Sequence, residues 1–363
     1  MTDIFEEILT GEPKYRIKQV KEAFFQDLVD DWDEARFLPV GLRERLEKLL
    51  PVRFVNSLGE KDFSRLPHLA GEKYNTYEVH PAYKHQAIKV DLYKSADGQT
   101  EKALFYFADA QVEAVLMRNK KGRNTVCVSS QFGCPLACVF CATGKLGFKR
   151  NLTTWEIILQ VLYFARLLKL EGKKITNVVF MGMGEPFLNY ENVMGAVRIL
   201  NDRDGFALGA RRLAISTSGV VKGIKRLSGE RLEVNLAISL HAADDILRSR
   251  LMPVNKSYPL TMVLTAVDEY IAKTGRKVMF EYLMIKGIND RPEDCELLAK
   301  LMAKRLYFVN LIAYNPTGSF EASSQKTIEV FKNRLISLGV QANQRYSFGQ
   351  DIKAACGQLA GKV

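Results

Sequence analysis

Cys134-Pro-Leu-Ala-Cys138-Val-Phe-Cys141 is the stretch on which the reading of this chain turns. Three thiols share one short loop in the spacing C-x3-C-x2-C. Thiolates so placed can fill three corners of a cubane iron–sulfur cluster, a group held by cysteine sulfur and usually by four of them. No fourth cysteine follows at short range, which leaves one iron with an open position. Zinc is the competing reading. Structural zinc sites close with four ligands, commonly through paired C-x2-C units or histidines, and none of His68, His80, His85 and His241 lies beside this loop in sequence. The donor set favours a cluster.

Working outward, the chain holds six cysteines in 363 residues: Cys127, Cys134, Cys138, Cys141, Cys295 and Cys356. That is no disulfide scaffold, and in a reducing compartment clustered thiols are ligands or catalysts. No apolar run approaches the roughly 18 residues of a membrane span. The acidic, amphipathic start MTDIFEEILT does not read as a secretory signal, so the expectation is a cytoplasmic protein with no membrane partner. An apolar content of 47% supports a large core and excludes wholesale disorder. Lys plus Arg number 52 against 41 Asp plus Glu, a net charge of +11 that points to a polyanionic partner such as nucleic acid. Basic runs fall at Lys120–Arg123, Lys145–Arg150, Lys173-Lys174 and Arg211-Arg212. Lys145–Arg150 flanks the cysteine loop and is the first candidate for phosphate contact.

From about residue 124 the pattern alternates. Apolar strands are expected at 177–181, 212–217, 234–240, 278–284, 309–313 and 341–346, with helices at 154–170, 192–202, 219–227, 245–251, 260–273, 292–303 and 326–337. Strands alternating with helices imply βα units around a parallel sheet, and continuous apolar strands fit a sheet covered by helices. Six or so units make an α/β partial (β/α)6 barrel, since eight would need more chain. Residues 1–95 read as a small helical N-terminal domain, with Ile17, Val20, Phe24 and Leu28 on one face of a helix at 15–30, a second helix at 41–50 and short strands near Phe54 and at 88–93. Residues 96–123 read as a strand-hairpin connector turning at Asp109-Ala110, and 124–363 as the barrel with a C-terminal cysteine segment.

The cysteine spacing at the first loop of a βα barrel resembles the radical S-adenosylmethionine (SAM) enzymes, and Phe140 matches an aromatic common there. Cys127-Val-Ser-Ser-Gln-Phe-Gly-Cys134, Met181-Gly-Met-Gly-Glu-Pro186, Ser216-Thr-Ser-Gly219, Ser239-Leu-His241, Asn315-Pro316 and Asp351-Ile-Lys-Ala-Ala-Cys-Gly-Gln-Leu359 occur in one order. Together they resemble the RlmN/Cfr family of radical SAM RNA methyltransferases. The resemblance implies a [4Fe–4S] cluster on Cys134, Cys138 and Cys141, and two SAM per turnover. It implies SAM contacts from Gly184, Glu185, Ser216, Ser239, Leu240, His241 and Asn315. These positions fall at C-terminal strand ends, where barrel enzymes carry their sites.

The same resemblance implies roles for the remaining cysteines. Cys356 becomes S-methylcysteine, loses a hydrogen to a 5′-deoxyadenosyl radical and adds to an adenine carbon. Cys127 then resolves the protein–RNA adduct and forms a disulfide with Cys356. Glu113 matches the family's proton acceptor. Cys295, inside a helical stretch, reads as a packed core thiol. The implied substrate is 23S rRNA with tRNA as a second, the target base unstacked, served by a flavodoxin-like electron donor and a monomeric enzyme. Pro186 and Ser218 favour methylation at adenine carbon 2 over the carbon-8, antibiotic-resistance branch, while Tyr15–Gln19 and Phe206–Leu208 look similar to that branch too. A zinc-loop RNA-binding protein accounts for the charge and the loop but leaves Cys127 and Cys356 without a purpose.

Overall fold

The computed structural model describes residues 5, 8–29, 31–49, 54–56, 73–79, 88–107, 109–318 and 320–361, leaving aside the side chains of 54–56, 73–79 and 88. His68, His80 and His85 lie outside that description, as do Asp30 and Leu50 at the expected helix ends.

Six βα units are present. Strand β6 (Asn124–Cys127) runs parallel to β9 (Asn177–Phe180), and β10 (Leu213–Thr217), β11 (Asn235–Ser239), β12 (Val278–Met284), β13 (Tyr307–Ala313) and β14 (Ala342–Arg345) follow, each parallel to the last. Helices Thr154–Leu170, Tyr190–Asn201, Val221–Leu227, Leu260–Thr274, Pro292–Met302 and Gln325–Ser337 make the crossovers. Among the described residues β14 ends the sheet and β6 pairs with β9 and with the preceding strand β5 (Ala110–Arg118) instead, so the barrel stays open along one side.

Side chains alternate along each strand. Val126, Val178, Phe180, Phe280, Val309 and Leu311 pack outward under the helices and are fully buried. The residues between them face an open lumen, and many are polar: Thr125, Asn177, Asn235, Glu281 and Asn310. The strands are therefore less uniformly apolar than a filled barrel requires. The first crossover helix starts in a capping box, with Thr153 accepting from the Glu156 amide and Glu156 accepting from the Thr153 amide.

The N-terminal part differs from expectation in one respect. Its helices, Lys14–Phe25 and Val40–Leu49, are where the periodicity places them, and Val20, Phe24 and Leu28 are buried. The first ends at Phe25 because Leu28 turns the chain at φ 49°. These helices pack on the barrel through Phe24 against Trp155, Phe25 against Phe206, and Arg166 donating to the Val29 carbonyl at 2.9 Å. The strands of this region, however, continue the barrel sheet. Strands β1 (Phe54–Asn56), β2 (Lys73–Val79), β3 (Ile88–Lys94), β4 (Thr100–Phe107) and β5 (Ala110–Arg118) form an antiparallel run that joins β6, making a twelve-stranded sheet. The boundary expected at residue 95 falls in the β3–β4 turn, where Ser95 and Asp97 cap the loop. Among the described residues no helix is long and apolar enough to cross a membrane.

Candidate active site

After β6 the chain forms a small hairpin, β7 (Gln131–Gly133) against β8 (Phe148–Asn151), and the cysteine loop hangs between its arms. Gly133 is required there: its φ is 75°, and a Cβ would lie 1.8 Å from the Gly147 carbonyl oxygen. The loop is tied down by Cys134 N–H to the Gly147 carbonyl, Val139 N–H to the Leu251 carbonyl and Ala142 N–H to the Gly357 carbonyl. Cys134, Cys138 and Cys141 line one pocket of about 170 Å³ together with Gly184, Glu185, Ser216, Ser239 and His241. Burial pushes the Cys134 thiol up to about 12 and the Cys138 thiol higher still, with the neighbouring thiols adding to both. Thiols so buried need a metal centre to hold them as thiolates. Sulfurs set around a pocket suit a cluster, which takes each at a different iron.

The strand-end residues expected to contact SAM surround this pocket. Gly184 has φ 98°, and a Cβ there would meet Gln131 at 2.5 Å. Glu185 is buried; its Oε1 accepts from Phe187 N–H at 3.1 Å, and its Oε2 accepts from both the amide and the hydroxyl of Ser218 at 2.8 Å. Burial raises its pKa against those hydrogen bonds, which lower it. Pro186 opens the turn that Glu185 caps, and Ser218 donates to the Glu185 carboxylate. His241 sits at φ 58°, its ring edge-on to Phe140 with centroids 4.9 Å apart. Its Nδ1 accepts from Leu283 N–H at 3.1 Å, and burial, followed by nearby Arg248, lowers its pKa to about 3. The imidazole is thus neutral with its proton on Nε2.

Two of the expected SAM residues, Leu240 and Asn315, are not among those lining this pocket. Leu240 is fully buried in the core. The Asn315 side chain donates to the Cys356 carbonyl at 3.0 Å and accepts from Gln350 Nε2 at 2.6 Å, so it holds the cysteine loop.

A second cavity, about 680 Å³, fills the lumen and is lined by Cys127 and Cys356. Cys356 also borders the cluster pocket. It lies deep in the protein, yet its side chain is open because it faces this space. Cys127 is buried and pushed up to about 12 by desolvation, with Cys356 contributing. Both thiols are free. Cys295, by contrast, packs between helices with its Sγ 3.6 Å from the Phe331 carbonyl.

Glu113, expected as a proton acceptor, is placed differently. It is 1% exposed and is not among the residues lining the lumen. Its Oε1 is 2.8 Å from Lys102 Nζ, and its Oε2 accepts from the amides of Ala360 and Gly361 at 2.7 and 3.1 Å. Both oxygens are engaged in fastening the tail that follows Cys356. Lys145–Arg150 is also largely committed elsewhere. Arg150 forks onto Asp109 and Glu156, and Lys145 donates to the Thr317 carbonyl.

Three residues of the site went unread in the sequence. Arg248 is fully buried and donates to the carbonyls of Ser218, Ser239 and Leu240 and to Asn255 Oδ1 at 2.6–3.1 Å, knitting two strand ends together. Glu281 and Arg345 pair at 3.1 Å in the wall shared by both cavities; Asn310 also donates to Glu281 Oε1 at 3.0 Å, and Oε2 has no partner among the described residues. A charged residue inside an apolar strand, such as Glu281 in Val278–Met284, was the available signal.

The profile of the radical SAM superfamily matches residues 128–301. A probable dual-specificity RNA methyltransferase RlmN of Dictyoglomus turgidum is 46% identical over 96% of this chain and 91% of its own length. Its counterpart in Chloroflexus aurantiacus is 40% identical over 97% and 88%. The ribosomal RNA large subunit methyltransferase Cfr of Clostridium botulinum is 39% identical over 96% and 92%. Among solved structures, a radical SAM methyltransferase from Sphaerobacter thermophilus superposes with a TM-score of 0.84 at 40% identity, covering 99% of this chain and 97% of that one.

Proposed function

We propose, since the chain belongs to the RlmN/Cfr family of radical SAM RNA methyltransferases, that it methylates carbon 2 of an adenine in 23S rRNA, with tRNA as a second substrate. The observation that supports this most is the placing of Cys127 and Cys356, from opposite ends of the barrel sequence, in one lumen that meets the cysteine-lined pocket. When bound, the [4Fe–4S] cluster and SAM supply a methyl group and, by one-electron cleavage, a 5′-deoxyadenosyl radical.

The chain's own residues supply the rest. Cys134, Cys138 and Cys141 would hold three irons. Gly184 leaves backbone space beside the pocket, and Ser216, Ser239 and neutral His241 Nε2–H offer hydrogen bonds along its wall. Cys356 carries the methyl on sulfur, and its loop is fixed by Asn315, Ala142 and Thr143. The carbon on that sulfur, having given one hydrogen atom to the 5′-deoxyadenosyl radical, bonds to the electrophilic adenine carbon, which resists a polar methyl donor, and the one electron left over would return to the cluster. Cys127 takes the ring proton, then bonds to the Cys356 sulfur as the sulfur–carbon bond breaks and that proton passes to the departing carbon to complete the methyl group, and an external thiol reduces the pair. Glu113 serves this scheme through the tail it holds.

The carbon-2 assignment rests on Pro186, which opens the turn that Glu185 caps, and on Ser218, which donates to the Glu185 carboxylate. Digestion of methylated 23S rRNA and of tRNA to nucleosides, resolved by mass spectrometry against standards, tests it. 2-Methyladenosine from both RNAs is expected. A predominant 8-methyladenosine peak would move the chain to the other branch, and unmodified tRNA would remove the second substrate.

A further inference from the structure

We propose that a single-stranded RNA segment enters the lumen past Arg123 and Arg212 and lays a base on Tyr346 at the other end of the strands, and does not cross the cysteine loop. This rests on the reading of the protein as an RNA methyltransferase and adds the route by which the base reaches Cys356.

Two basic runs far apart in sequence meet at one rim. The turn between β5 and β6 carries Lys120, Lys121 and Arg123, folded back by Asn119 Oδ1 accepting the amides of Lys121 and Arg123 at 3.0 and 2.9 Å. Arg211 and Arg212 precede β10. Their carbonyls are fixed by lumen-wall amides, Asn235 Nδ2 at 2.8 Å and Asn177 Nδ2 at 3.4 Å. Arg123 and Arg212 both line the lumen that ends at Cys127 and Cys356. Arg118 and Arg211 of the same rim are already paired, with Glu101 and Glu171 and with Glu233. Arg123 and Arg212 are exposed, and their guanidinium groups have no partner among the described residues. They are cations left for phosphate.

An aromatic ring stands at the other end of the same lumen. Tyr346 follows β14 on the open side of the barrel, lines the same lumen and is 75% exposed. Next to it the buried Ser347 hydroxyl has no hydrogen-bond partner among the described residues. Cations at one mouth of a lumen and an exposed ring farther along it are the recognition chemistry of an unpaired strand, and duplex RNA offers no free base face to such a ring. The alternative entry is weaker, since Arg150 is consumed by two carboxylates.

The test measures binding of a short 23S stem-loop containing the target adenine to the cluster-loaded enzyme over a salt series. Arg123→Gln and Arg212→Gln should each lower the slope of log K against log salt by about 0.7, one phosphate contact on a single strand. The double variant should lose at least tenfold in affinity at 0.15 M salt. Tyr346→Ala should lose about tenfold and Tyr346→Phe should restore it, because stacking uses the ring and not the hydroxyl. Lys149→Gln, on the exposed arm beside the cysteine loop, should leave the slope unchanged. Iron content and thermal midpoint identify any variant that fails to fold. Wild-type slopes in both arginine variants, or a lowered slope only in Lys149→Gln, would overturn the entry surface while RNA methylation by the parent enzyme stands. A parent enzyme that neither binds nor methylates the stem-loop would overturn the RNA reading itself.

Discussion

Lys102→Met isolates what the buried Lys102–Glu113 pair does. The ammonium and carboxylate are 2.8 Å apart and their side chains are 3% and 1% exposed. Removing one partner of such a pair leaves a charge without compensation, which costs about 3–5 kcal/mol. Methionine keeps the aliphatic packing against Tyr93, whose ring centre lies 5.5 Å from Lys102 Nζ. Glu113 also keeps its two amide donors, at 2.7 and 3.1 Å, so the lower end, about 3 kcal/mol, is expected. That is a large share of a typical total of about 5–15 kcal/mol. The double variant Lys102→Met/Glu113→Gln removes both charges and retains a carbonyl oxygen for Ala360 and Gly361, so it should lose only about 1 kcal/mol. Since the pair fastens the tail behind Cys356, the loss should appear as faster proteolysis of the C-terminus and less S-methyl-Cys356 after incubation with SAM, both restored in the double variant. A proton acceptor acting on RNA would give the opposite pattern: normal Cys356 methylation in every variant, and no RNA product from the double one. Equal stability of the single variant and wild type, or no recovery in the double variant, would refute the reasoning.

Four further outcomes are expected. Alanine at any of Cys134, Cys138 or Cys141 should abolish iron binding and SAM cleavage together, and full iron content with normal cleavage in Cys138→Ala would disprove the ligand set. Cys127→Ala should accumulate a nuclease-sensitive protein–RNA adduct on a denaturing gel while Cys356→Ala forms none; an adduct in the latter would reverse the roles. Arg248→Met should strand the carbonyls of Ser218, Ser239 and Leu240, costing about 3 kcal/mol or more and weakening SAM binding, read by thermal midpoint and calorimetry; an unchanged midpoint would remove Arg248 from its place. His241, depressed from 6.5 to about 3, binds its proton more readily in the unfolded chain, so its contribution is present above about pH 6.5 and is lost as pH falls toward 3; its NMR signals should show no titration between pH 5.5 and 8, and an imidazolium signal at pH 6 would contradict the burial argument.

The barrel was legible because each βα unit advertises itself locally, as an apolar run ended by a motif and followed by a periodic helix. Strands β6 and β7 carried no such signal. β6 is four residues long and β7 three, and each is specified by the neighbour it pairs with. The boundary expected at residue 95 rests on the same kind of local signal: a turn such as Ser95–Gln99 looks like a boundary whether the strands beside it join one sheet or two. The cysteines and Glu185 were legible through residue type and spacing. Arg248 was not, because a buried arginine in Asp245–Leu251 has the helical position of a surface residue, and only its five acceptors from other loops distinguish it. Lys145–Arg150 illustrates the reverse: proximity in sequence to the cysteine loop suggested phosphate contact, and the fold supplied Asp109 and Glu156 as partners.

The two cavities divide the work in a way that fits the chemistry demanded of Cys356. Its sulfur has to meet a methyl donor beside the cluster and then a base arriving through the lumen. Cys356 and Gly357 border both spaces, so one thiol position serves both encounters. No strand holds that position. Cys356 lies in an irregular segment past β14, with Gly357 at φ 85°, and the segment is fixed by side chains from elsewhere: Asn315 on the Cys356 carbonyl, Thr143 on the Leu359 carbonyl and Glu113 on the next two amides. A strand residue would present its side chain to one face of the sheet only, whereas a loop pinned at several points can set a thiol at the junction of two cavities. The hydrogen bonds from Asn315 and Glu113 are for this reason part of how the cysteine does its chemistry, even though neither side chain need touch RNA.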